Sequence, residues 1–129
     1  MMRFHLTKGD SADIGFASTC LIGGVITFHE FKDWLYYVIE NLDDVPSYIF
    51  DVIDLEEKFD YILKAGKILG FDPAWEASKR ELLALDGIGY KRFKNFRTDA
   101  SSRQNSLDAL VENEHVESLF REIFPFIEW

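Results

Sequence analysis

Residues 27–57 read T-F-H-E-F-K-D-W-L-Y-Y-V-I-E-N-L-D-D-V-P-S-Y-I-F-D-V-I-D-L-E-E, and this stretch decides the fold class. Phe28, Phe31, Leu35, Val38 and Leu42 recur at steps of three and four, the period of one helix face. Trp34 and Ile39 widen that stripe to the width a core helix needs. Thr27 and Glu30 stand in the T-x-x-E spacing of a capping box, in which each side chain accepts from the other residue's backbone N–H. The second half turns at Asp43-Asp44-Val45-Pro46 and becomes acidic: from Glu40 to Asp60 there are eight carboxylates and one base, Lys58. One continuous segment thus supplies a core helix and, beside it, the most charged surface of the chain.

Upstream, Arg3 to Thr7 alternates polar with apolar and allows a short strand. Lys8-Gly9-Asp10 is a turn, and Ser11 or Asp10 caps a helix over 12–21 with Ile14, Ala17 and Leu21 inward. Gly23-Gly24 ends it, and Val25-Ile26 is placed to staple onto the helix that follows. Downstream, Pro46 suits the first turn of a short helix running through Ile53. Asp54 and Glu57 read as a second capping box, opening a helix to Leu69 with Leu55, Phe59, Ile62, Leu63, Gly66 and Leu69 as its buried stripe. Gly70 stops it. The next helix has two competing starts, Asp72-Pro73 and Ser78 with Glu81, and is expected to end before Gly87. Residues 94–103 form a polar loop. A helix over 102–112 is expected to turn Leu107, Leu110 and Val111 inward, and a last helix over 114–124 to bury Val116, Leu119, Phe120 and Ile123. Pro125 stops that helix, and Phe126-Ile127-Glu128-Trp129 packs back. The fold class is all-α: one domain over residues 1–129, a compact bundle of six or seven helices.

Bulk properties narrow the function classes. Hydrophobic residues make up 47% of the 129 and aromatics 16%, which excludes intrinsic disorder. A formal net charge of -9 repels nucleic acid and anionic membrane and favours a basic partner. The beginning of the chain lacks the apolar run of a signal peptide, no stretch approaches the roughly 20 apolar residues of a membrane span, and Cys20 is a lone thiol. A cytoplasmic protein with no membrane partner is expected.

The leading candidate site is the acidic belt: Asp43, Asp44, Asp51, Asp54, Glu56, Glu57 and Asp60, with Tyr48 among them as an aromatic contact. Asp44 and Asp54 also read as helix-start residues, favoured there by the helix dipole. The spacing does not match a calcium loop, no His or Cys joins the cluster, and no metal or cofactor is expected. His5, His29 and His115 are scattered, Cys20 closes an apolar helix, and no nucleophile elbow or phosphate loop is present, so the chain is expected not to be an enzyme.

The overall pattern resembles the immunity proteins of bacterial contact-dependent growth inhibition and related polymorphic toxin systems. The likeness lies in a small, acidic, cysteine-poor chain with the helix T-F-H-E-F-K-D-W-L-Y-Y-V-I-E and the following D-D-V-P-S-Y-I-F-D-V-I-D-L, over roughly residues 11 to 75. It implies neutralisation of a cognate toxin domain, commonly a basic nuclease, by covering its active site. It supplies no binding residues; the belt is assigned from its charge alone. The alternative function is non-specific DNA binding. Leu82, Leu85, Gly87, Ile88 and Gly89 resemble the L-x-x-L-x-G-I-G hairpin of the helix-hairpin-helix family, with Lys91, Arg92, Lys94 and Arg97 nearby. Phe93 stands where that family has a small residue, and Asp86 sets a negative charge beside the expected phosphate.

Overall fold

A computed structural model describes residues 3–129; Met1 and Met2, where the stretch read for a leader begins, lie outside it. The chain is all-α, with seven helices and no strand among the described residues. It divides into two compact units: residues up to Ile22 with Thr27–Trp75, and Gly23–Ile26 with Glu76–Trp129.

The first unit holds α1 (Ala12–Ile22), α2 (Phe28–Asn41), α3 (Tyr48–Ile53) and α4 (Lys58–Leu69). Residues 3–7 do not pair as a strand. Thr7 makes only an isolated antiparallel bridge with Asp10 across the Lys8-Gly9 turn, and His5 bonds to the start of α1, its carbonyl accepting from the amides of Asp13 (3.1 Å) and Ile14 (3.4 Å). The Asp13 carboxylate in turn accepts from the His5 amide at 2.9 Å. This segment satisfies N–H groups that a helix start leaves without partners. Ser11 serves a distant one as well, its hydroxyl accepting from the Ala74 amide at 3.1 Å. The capping box at Thr27 and Glu30 is present, and α2 buries Phe31, Trp34, Leu35 and Val38, four of the stripe residues.

Further along, the expected boundaries and faces shift. Asp54 does not open α4. It closes α3, its amide donating to the Phe50 carbonyl at 3.3 Å while the Leu55 amide donates to that of Val52 at 3.1 Å, and α4 begins at Lys58 with no side-chain cap. The buried face of α4 also differs: Tyr61 and Leu69 are inside, while Phe59 and Leu63 face outward. The cause is a partner for Tyr61. Its hydroxyl shares a 2.7 Å hydrogen bond with Ser18 of α1, and its ring lies 4.9 Å from that of Phe31. A tyrosine whose hydroxyl is satisfied buries as readily as a phenylalanine. Gly70 ends α4 in the left-handed region, as expected.

The second unit holds α5 (Lys79–Arg92), α6 (Arg103–Glu112) and α7 (Glu114–Ile123). Of the two competing starts, Ser78 with Glu81 forms the capping box. Yet α5 does not stop before Gly87; it runs through Gly87, Ile88 and Gly89, all buried. Both glycines serve packing. A Cβ on Gly87 would stand 2.6 Å from the Ser106 carbonyl oxygen, and one on Gly89 would stand 2.5 Å from the Phe96 ring. With Gly87 seated against Ser106 and Leu110, α6 turns Ser106, Ala109 and Leu110 inward, and Val111, expected inside, faces solvent. On α7, Val116, Phe120 and Ile123 are buried and Leu119 is half-buried. The tail packs back: Trp129 sits edge-on to Phe120 at 5.8 Å, with the Arg121 guanidinium 4.2 Å over its ring.

Two measurements check this packing. Gly87→Ala has only backbone and Leu110 to push against, and overpacking of this kind costs about 1–3 kcal/mol. At Gly66, also mid-helix, a Cβ would meet only the Asp72 carboxylate, which can swing away, so Gly66→Ala is expected to be neutral or to gain up to about 1 kcal/mol of helix propensity. Denaturation midpoints that rank the two substitutions the other way would contradict the close α5–α6 approach.

Burial pushes the Tyr61 phenol up from 10.0 to about 12, so the unfolded chain loses this proton first as pH rises. Stability from Tyr61 is therefore complete below pH 10 and is lost as pH climbs toward about 12. Tyr61→Phe is expected to flatten that alkaline fall in urea midpoints; an unchanged slope would contradict it.

Candidate functional site

The belt starts in the loop between α2 and α3, where Asp43 and Asp44 are exposed. Asp44 lies in that loop and not at a helix start, since α3 begins at Tyr48 with Ser47 as its flanking residue. Asp51 sits on the outward side of α3, whose inward side is Tyr48, Ile49 and Val52. Asp54, Glu56 and Glu57 are exposed across the α3–α4 connection, and Asp60 is half-buried in the first turn of α4. With Glu40 on α2, these carboxylates have no cation within ion-pair distance among the described residues; ion pairs in the first unit, such as His5 with Asp10 and His29 with Asp33, lie outside the belt. Nor is any group of three His, Cys, Asp or Glu placed to hold a metal ion among the described residues, so the belt is spread and not convergent.

Tyr48 is not part of this surface. It is 7% exposed, its ring packs edge-on to Phe71 at 6.0 Å, and its hydroxyl donates to the Leu6 carbonyl at 2.5 Å. Burial, with the Tyr61 phenol adding to it, pushes its ionisation far above the ordinary tyrosine value. A buried hydroxyl with a backbone partner holds the N-terminal segment in place and offers no contact area.

The large apolar side chains that do lie among the acids are ones the pattern assigns inward or passes over. Phe50 on α3 is 51% exposed, Phe59 on α4 68% and Leu63 on α4 79%. The signal that would have exposed the last two is Tyr61: a stripe through Tyr61, Ala65 and Ile68 is as regular as one through Phe59, Leu63 and Gly66, but ranks lower on apolarity alone.

Charge divides unevenly. The first unit carries thirteen acidic and six basic residues, the second ten and eight, so the excess of negative charge belongs to the unit that bears the belt. In the second unit opposite charges pair: Arg80 with Glu112, His115 with Glu81 at 2.8 Å, and Arg121 with Glu117 at 3.3 Å. Glu81 is held below its ordinary pKa, first by the Ser78 amide and then by His115.

The alternative site is not assembled. The hairpin expected at Gly87–Gly89 is the interior of α5, where helix amides are already bonded and cannot cradle a phosphate. Arg92 is committed to the fold, donating to the Val25 carbonyl at 2.6 Å and stacking 4.6 Å over Phe93. Arg97 donates to the Phe96 carbonyl at 2.7 Å. Lys91 lines an open depression of about 340 Å³ with Leu110, Val111, Glu114, Glu117 and Ser118, and the two glutamates offset its charge.

Compared with known proteins, the chain matches no family model, no curated protein and no solved structure. No helix among the described residues is long and apolar enough to cross a membrane.

The position of Asp54 gives a direct check on this geometry. A carboxylate at a helix C-terminus faces the negative end of the dipole, so Asp54→Asn is expected to stabilise the chain by about 0.3 kcal/mol at low salt. A clear loss of stability in thermal or urea unfolding would show that Asp54 caps a helix start after all.

Proposed function

We propose that this protein is an immunity protein: a cytoplasmic inhibitor that binds a cognate toxin domain, a basic nuclease, and covers its active site. The observation that carries the reading is the row of solvent-facing carboxylates from Glu40 to Asp60 with no cation partner among the described residues. Uncompensated like charge costs a fold stability through self-repulsion. A basic partner removes that repulsion, and opposite charge raises the rate of encounter. A nuclease must present a positive surface to its polyanionic substrate, so an acidic face can occupy the same surface. The chain's net charge of -9 acts in the same direction. DNA binding by the chain itself is not carried forward, because the turn it needed is helix.

The test begins with genomic position: a large secreted toxin gene should lie directly upstream. Co-expression of its C-terminal domain with the chain should restore growth. Replacing Asp51, Glu56 and Asp60 together by Lys is expected to spare the fold, since none of the three carboxylates makes a hydrogen bond or ion pair in the structure. The circular dichroism should stay unchanged, protection should fall, and association should slow by about tenfold or more at low salt. Undiminished protection and an unchanged salt dependence would mean that the belt is only a solvated face.

A further inference from the structure

Charge alone leaves the outer face of α4 unexplained. Phe59 and Leu63 are 68% and 79% exposed and stand one turn apart, so their side chains share a face. Neither is needed inside, where Tyr61 and Leu69 fill the buried side of the helix. Glu56, Glu57 and Asp60 border the pair at the N-terminal end, and Lys64 and Lys67 at the C-terminal end. Apolar side chains held in water within a charged border have the anatomy of an interface: a dehydrating centre and a polar rim.

We propose that Phe59 and Leu63 are the apolar anchors of the interface, and that their occupant is a basic protein surface with an apolar depression to receive them. The inference rests on the immunity reading in taking that protein to be the toxin, and adds which side chains hold it. A second copy fits poorly, because the unit that bears this face has thirteen acidic residues against six basic and two such faces would set like charges together. Nucleic acid and anionic membrane are repelled for the same reason. The change of sign along α4, from Glu56 to Lys67, also fixes direction: the basic part of the partner lies over the start of the helix and not its end.

The experiment measures binding kinetics of the upstream toxin's C-terminal domain to the wild-type chain and to the double variant Phe59→Ala, Leu63→Ala. Both positions are exposed, so circular dichroism and melting should match the wild type. A buried anchor is worth about thirtyfold in affinity or more, and losses of this kind appear as faster dissociation. The double variant is therefore expected to bind about a hundredfold more weakly, with its salt dependence intact. If the toxin domain binds the wild type and the double variant equally well, the anchor assignment is overturned and the immunity reading stands. If the toxin domain does not bind the wild type, both fall. If sedimentation shows a wild-type dimer that the double variant lacks, the occupant is a second copy and the proposal is overturned.

Discussion

Backbone approach at glycines inside helices is the constraint on which each unit depends. In the first unit, Gly15 of α1 lies against the backbone of Ala74 and Trp75, where a Cβ would stand 2.4 Å from a carbonyl carbon. In the second, Gly87 of α5 lies against the Ser106 carbonyl of α6. Glycine weakens a helix by about 1 kcal/mol relative to alanine, so its presence there has to be offset by contact that only a missing side chain allows. The contacts follow. Phe16 meets Trp75 edge-on at 4.8 Å one residue from Gly15, and the Phe96 ring fills the space left by Gly89.

That packing sets what reaches the surface. Once Tyr61 has turned inward to Ser18 and Phe31, the opposite side of α4 has no core left to meet, and Phe59 and Leu63 are left in water. The same helix start follows the densest run of carboxylates in the chain. On α4 apolar exposure and uncompensated charge therefore coincide, while the second unit has charges paired, as Arg80 is with Glu112.

Much of this was legible beforehand. Capping boxes are local chemistry, and those at Thr27 and Ser78 stand where the sequence placed them. Element type and number are local too, since the apolar period and the turn residues fix them. What could not be read depends on tertiary partners. Gly87 and Gly89 look like a helix stop until Ser106 and Phe96 are seen against them. Tyr61 ranks below Phe59 until Ser18 is seen to satisfy its hydroxyl, and Tyr48 looks like a surface aromatic until Leu6 is seen to accept from it. Asp54 followed by Glu57 has the spacing of a cap, but α3 extends far enough to use Asp54 as its end. Seven of the eight residues assigned to the candidate surface are carboxylates at solvent-accessible positions, because charge rarely buries without a partner; the eighth, an amphipathic tyrosine, went inside.

The most direct measurement of the central claim is hydrogen–deuterium exchange of the chain, free and saturated with the C-terminal domain of the proposed toxin partner. The account predicts slowed exchange concentrated in residues 42–63, the two acidic loops with α3 and the first half of α4, and no change across residues 90–103. Protection of 90–103 with none in 42–63 would contradict it and move the interface to the other unit.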